Sequence, residues 1–350
     1  MEKTLQRGRL LVSIILVLSF LVLTGVNGSC DRDKAYTLEL RLAHFWPASH
    51  PVETDLVQPW IAAVEEATEG RVKIISFPGE TLAQSDAIYE AVKIGIADVG
   101  LSCFAYTRGQ FPVLEVFELP GITYNDSNAA SRVAWEGIQL LNPTEVQDTT
   151  LMMVITTGPG NLFTKKPIRE ISDLKGLEIR ATGLSAATLR ALGATPVAMP
   201  QAEAYEAISK GVAQGNLGPT EILKGWRQAE VTDYITVTPF LYNTLFFFTM
   251  NTSKWNSISE EDQQAILEVN QRIFEDVACG LWDKQNDAAL TYAVDENGME
   301  VIELSDTETE LWLSLVKPVQ DDYVSRMESQ GFPGREILMT VQELSDRYSK

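Results

Sequence analysis

The chain has 350 residues, 45% hydrophobic and 22% charged, which is enough to bury two sizeable cores or build one large bilobed unit. Its formal net charge is −20. So acidic a surface excludes nucleic acid and anionic membranes as natural partners, but not a small anion, which feels only the local field of its pocket.

The amino terminus reads as an export signal. Lys3, Arg7 and Arg9 form a basic start, residues 10–26 are apolar, and Val26 and Gly28 are small enough for cleavage near Gly28-Ser29. Loss of residues 1–28 takes the balance to about −22, because three cations leave with one acid, Glu2. A periplasmic protein is expected. An uncleaved anchor and a lipoprotein acylated at Cys30 stay open, although Asn27 stands where a lipobox carries an aliphatic residue. Cys103 and Cys279 lie in apolar contexts with no C-x-x-C pair, so two buried thiols and a disulfide are both compatible.

In chain order, residues 36–44 alternate as a first strand, with Leu38, Leu40 and Leu42 on one face. A helix over 55–69 carries Trp60, Ile61, Val64 and Ala67 at helical spacing and ends at Gly70. A strand over 72–77, a helix from a Ser85 cap to Ile94, and a strand over 98–102 follow. The order then repeats: strand 178–181, helix 185–192, strand 196–199, helix 201–210 and the turn at Gly211. Two such β-α-β-α-β units imply two similar α/β lobes. Residues 245–250 form an apolar strand. A long helix is expected from Ser259, with its apolar stripe at Ile266, Val269 and Ile273, reaching Asn297 and bridging both lobes. Strand 299–304 and further helices close the chain.

Catalytic and metal signatures are poor. Outside the signal segment the only histidines are His44 and His50, whose spacing fits no zinc site. Gly183-Leu184-Ser185 half-matches a nucleophile elbow, yet no histidine follows Ser185, which reads more simply as a helix cap. No phosphate loop or dinucleotide fingerprint is present, and no cofactor is expected.

The stretch Asp173-Leu174-Lys175-Gly176-Leu177-Glu178-Ile179-Arg180 is the most informative. It reads as a turn ended by Gly176, then a strand with Arg180 near its carboxyl end, where α/β sheets keep their ligand crevices. A guanidinium there offers a planar fork matched to a carboxylate. A structural salt bridge is the other reading.

Several blocks, in order, resemble one family. They are Ala62–Val72, Glu90–Asp98, Thr164–Ile168 followed by Asp173–Arg180, Leu192–Pro196, Glu203–Ile208, and Met250–Trp255 with the acidic helix start beyond. The chain is similar to the extracytoplasmic solute-binding subunits of tripartite ATP-independent periplasmic (TRAP) transporters, first known for C4-dicarboxylate binding. The resemblance implies an α/β, two-lobed solute-binding protein of the type II-like kind, with hinge strands, a lobe-spanning helix and no enzymatic activity. It sets lobe I at 36–158 plus 243–282 and lobe II at 159–242 plus 283–350, with hinges near 158 and 242. Its partners would be a small organic acid and the small and large membrane subunits, acting with a monomeric receptor. The family's carboxylate-binding arginine matches Arg180.

Two departures shape the ligand expectation. Many members carry a second basic or polar contact where this chain has Gly158-Pro159-Gly160-Asn161, and acidic or polar residues where it has Gln214-Gly215-Asn216-Leu217. The expected ligand is therefore a monocarboxylate with an apolar or aromatic body. Asn161, Gln214, Asn216 and Asn243 are candidate polar contacts, and Phe45, Trp46, Tyr106, Trp226 and Tyr242 candidate walls. A secreted hydrolase using Ser185 or Cys103, and a ligand-sensing domain on the same fold, are the alternatives.

Overall fold

The computed structural model describes residues 37–107 and 109–349. The expected signal segment and Cys30 lie outside these residues. Two separate sheets form the frame. The first contains β1 (Leu38–His44), β2 (Val72–Phe77), β3 (Val99–Cys103) and β4 (Thr150–Thr156). The second contains β5 (Asn161–Thr164), β6 (Glu178–Ala181), β7 (Thr195–Ala198), β8 (Gly215–Gly218), β9 (Tyr234–Val237) and β11 (Glu300–Glu303). Strand β10 (Leu245–Met250) returns to the first sheet, giving orders β2-β1-β3-β10-β4 and β11-β9-β5-β8-β6-β7. β10 is buried at every residue, so it reads as a continuous apolar run rather than alternating.

The chain crosses between sheets at 157–160 and back at 238–244. The crossings lie side by side: Thr157 N–H donates to Thr244 O at 3.1 Å, and Gly160 N–H to Tyr242 O at 3.1 Å. In each sheet the central parallel strands point their carboxyl ends towards the other lobe. The pairs β1–β3 and β6–β8 do this in corresponding ways. Residues just beyond β1, β3, β6, β7 and β8 therefore meet in one cleft.

Helices cover the sheets. They are α1 (Gln58–Ala67), α2 (Ile88–Lys93) and α3 (Ser127–Leu141) on the first lobe, and α4 (Ser185–Ala191), α5 (Gln201–Ser209) and α6 (Ile222–Gly225) on the second. The expected single helix from Ser259 is interrupted. α7 (Glu260–Ile273), capped by Ser259 Oγ, passes through a π-turn over Phe274–Ala278 and breaks at Gly280 before α8 (Leu281–Thr291). The break lets α7 pack on α1 while α8 turns to α6 on the other lobe. Ser85 does not cap α2, whose N-cap is Ala87; Ser185 is likewise not a cap, since Leu184 holds that place.

The carboxyl-terminal helices α9 (Asp306–Ser329) and α10 (Gly334–Tyr348) also join the lobes. Trp312 and Val316 of α9 are buried against Leu162, Ile179 and Leu189 of the second lobe. Further along, Tyr323 Oη donates to Val113 O at 3.0 Å, and α10 packs on α3. The sequence reading placed all of 283–350 with the second lobe; the packing divides that segment between the two.

Candidate functional site

Arg180 is the third residue of β6, flanked in register by Val197 of β7 and Asn216 of β8. It is only 2% exposed. Its Nε donates to Met199 O at 3.0 Å and its Nη1 to Asn216 Oδ1 at 3.4 Å, while Nη2 has no hydrogen-bond partner among the described residues. Both acceptors are neutral. A buried guanidinium bonded only to neutral oxygens is costly unless an anion arrives, and the one carboxylate in the described cavity lining, Glu221, is already held by His50.

Around it lies a cavity of about 30 Å3, on a scale where one water needs about 10–15 Å3. Phe45 and Trp46, which follow β1, stack at 3.8 Å between centroids, and Phe45 also stacks on Trp226 of the other lobe at 6.1 Å. Tyr106, Tyr242 and Phe246 complete the aromatic wall. Burial pushes the phenols of Tyr106 and Tyr242 well up, with the Arg180 charge pulling against it, so both keep their protons at neutral pH.

Two polar contacts close the lobes over this cavity. Gln201 N–H, at the start of α5, donates to Tyr106 Oη at 3.0 Å. His50 Nε2 meets Glu221 Oε2 at 3.1 Å, both side chains buried. Since His50 Nδ1 accepts the Val52 N–H at 3.1 Å, the ring proton lies on Nε2 and is donated to Glu221. A Cβ on Gly225 would stand 2.6 Å from Glu221 Oε2 and 2.8 Å from His50 Nε2, so a larger residue there would crowd this pair.

Among the expected residues, Arg180, Phe45, Trp46, Tyr106, Trp226 and Tyr242 line one cavity. Asn216 stands behind Arg180: its Oδ1 takes the Arg180 bond, and its Nδ2 donates to Gln201 Oε1 at 3.2 Å and Gln228 Oε1 at 2.9 Å. Asn243 lies in the returning crossing, with Nδ2 on Phe117 O at 3.1 Å and Oδ1 unpaired. Asn161 opens β5 and is spent on the frame, accepting from Thr238 N–H at 2.8 Å and donating to Thr220 Oγ1. Gln214 precedes β8 at the end away from the cleft, where its Oε1 accepts the Glu178 N–H. None of Asn161, Gln214, Asn216 and Asn243 lines the cavity.

The sequence reading missed Gln201, whose Nε2 is buried without a partner, and the cross-lobe pair of His50 and Glu221. Gln201 follows β7 at its carboxyl end, the same signal that singled out Arg180. Cys103 and Cys279 are free and buried rather than paired. Ser185 Oγ is tied to Thr182 O at 2.6 Å, without a histidine. Ser76 Oγ and Glu53 Oε2 both meet His44 at Nε2, at 3.4 and 2.7 Å, while Nδ1 is unpaired. A hydrolytic relay needs the carboxylate and the hydroxyl on opposite ring nitrogens.

Two α/β lobes meeting over a buried arginine that bonds only to neutral groups are the architecture of a solute-binding protein. The chain belongs to the bacterial extracellular solute-binding proteins of family 7, the TRAP solute-binding proteins; the family model matches residues 42–326. A marine metagenome TRAP solute-binding protein specific for aromatic acids, solved with metahydroxyphenylacetate, superposes with a TM-score of 0.85 at 28% identity, covering 89% of this chain and 100% of that one. One from Rhodoferax ferrireducens T118 with copurified benzoate gives 0.84 at 27%, covering 89% and 99%. The outer membrane transporter protein TsaT of Comamonas testosteroni is 26% identical over 299 residues, 83% of this chain and 86% of its own length.

Proposed function

We propose that the protein is a periplasmic receptor that binds a small monocarboxylate with an apolar or aromatic body, without altering it, and hands it to TRAP membrane subunits. The observation that carries this reading is Arg180, a buried cation hydrogen-bonded only to neutral oxygens, with Nη2 free. One carboxylate on the fork would satisfy it. Among the described residues, the chamber lining offers no second free cation for another carboxylate. Its aromatic rings suit a flat apolar body, which agrees with the aromatic acids held by the metagenome and Rhodoferax relatives. Residues 1–28 would direct export and be removed.

A thermal-shift screen of organic acids tests the proposal. Benzoate, phenylacetate and related monocarboxylates should stabilise the protein, by roughly 2.7 kcal/mol at a hundred times the dissociation constant. Succinate should not. Stabilisation by dicarboxylates alone, or recovery of a chemically altered ligand, would overturn it.

A further inference from the structure

A second and larger cavity, of about 360 Å3, lies across the wall of the Arg180 chamber. The wall is one residue thick. Tyr106, Thr182 and Thr244 face the Arg180 chamber, and their chain neighbours Ala105, Gly183 and Leu245 face the second cavity. The lobes touch at this wall: a Cβ on Gly183 would stand 2.6 Å from the Cβ of Ala105. The rest of the lining is mostly apolar and comes from both lobes, Phe104, Phe111 and Leu114 on one side and Leu184 and Ala187 on the other.

Four charged residues line this cavity and play no part in the Arg180 site, and two of them, Glu118 and Arg190, have no ion pair among the described residues. Glu118 is 8% exposed. Its Oε1 accepts the Leu245 N–H at 2.9 Å, whereas Oε2 has no hydrogen bond among the described residues and lies 3.3 Å from the position of a Gly183 Cβ. Burial pushes this carboxyl up to about 8, the Leu245 N–H opposing and the Glu115 charge adding, so near pH 7 it is mainly a neutral acid with a proton to donate. Arg190, in the last turn of α4, is exposed and has no partner among the described residues. Arg326, at the opposite side, is spent on Glu115.

We propose that this cavity is a second binding site, for a carboxylate with an apolar body, which takes a hydrogen bond from Glu118, is drawn by Arg190, and lays its body on Phe104, Leu114 and Leu184. An O–H donated to a carboxylate is among the strong hydrogen bonds. A cation fits poorly, because the unpaired charge at the rim is positive and the unpaired acid on the floor is neutral. Since both lobes supply the walls, an occupant favours the closed form over the open one.

Octanoate is the probe, with bound molecules counted by equilibrium dialysis and native mass spectrometry at up to about 1 mM. The wild-type protein should retain a molecule that persists in Arg180→Lys but is weakened at least tenfold by Arg190→Glu and lost in Ala187→Trp, which fills the cavity. Arg190 is a surface residue, so its variant tests the site even if Ala187→Trp folds badly. Glu118→Gln keeps a donor and should retain the probe. Failure of octanoate to bind, or binding unchanged by both Arg190→Glu and Ala187→Trp, would overturn the proposal. Either result would leave the Arg180 reading standing, because that reading is judged on Arg180 variants.

Discussion

Arg180 and Asn216 face each other across adjacent parallel strands, in register, and the amide oxygen of Asn216 takes a bond from Nη1 at 3.4 Å. The partner is an amide, not a carboxylate. It aims the guanidinium without neutralising it, and so leaves the charge for a ligand.

Asn216→Asp should reverse that arrangement. A carboxylate at this position would pair with Arg180 and compete with the ligand acid. Calorimetry with the best acid from the screen should show affinity lowered by tenfold or more, with the melting temperature of the unliganded protein unchanged or raised. Unchanged affinity would mean that Asn216 does not set the charge of the site.

Gln201 should read a second acceptor on the ligand. Its Nε2, the Arg180 Nη2 and the Tyr106 O–H converge on one cavity, and their free hydrogens outnumber the roughly four lone-pair sites of a carboxylate. Mandelate, with a 2-hydroxyl, should bind about tenfold tighter than phenylacetate. Gln201→Leu should erase that gap while sparing phenylacetate; a gap that persists in the variant would remove Gln201 from recognition.

Arg180 was legible in the sequence because a turn ending at Gly176 fixes where β6 starts, and the strand is short enough to put Arg180 at the cleft. The aromatic residues after β1 and β3 were legible by the same rule. Asn161 was not, because the Gly158-Pro159-Gly160 segment is a crossing pinned to Tyr242 rather than a binding loop, and Asn161 begins a strand. Gln214 and Asn216 differ by two residues, yet one sits at the far end of β8 and the other beside Arg180. Alternation gives the face of a strand but not which end meets the cleft. The His50–Glu221 contact spans 171 residues and exists only between closed lobes, so no local pattern could show it.

That contact should hold the closed form. Glu221→Leu leaves the His50 Nε2–H buried without an acceptor, at a cost of about 1–3 kcal/mol to closure. Affinity should fall accordingly, and small-angle scattering with saturating ligand should show a larger radius than wild type. Gly225→Ala, which crowds the same two atoms, should act in the same direction. Wild-type affinity and radius in both variants would show the pair to be dispensable.

Glu118 should make stability fall as pH rises. Its carboxyl is raised to about 8 in the fold, so between about pH 4.5 and 8 the folded state binds more protons than the unfolded one. The stability gained from its neutral form is full at low pH and lost through that window. Glu145, raised by burial to about 7, acts the same way. Glu118→Gln should flatten the melting temperature between pH 5 and 8, though not entirely while Glu145 remains. An identical pH profile would show that Glu118 is ionised in the fold.

The central claim is that the Arg180 fork holds the ligand carboxylate, and isothermal titration of wild type against Arg180→Lys tests it most directly. Lysine keeps the charge but loses the bidentate geometry. With bonds to a charged group worth roughly 1.5–3 kcal/mol, affinity for the best monocarboxylate should drop at least tenfold in Arg180→Lys. Equal affinities for the two proteins would contradict the account.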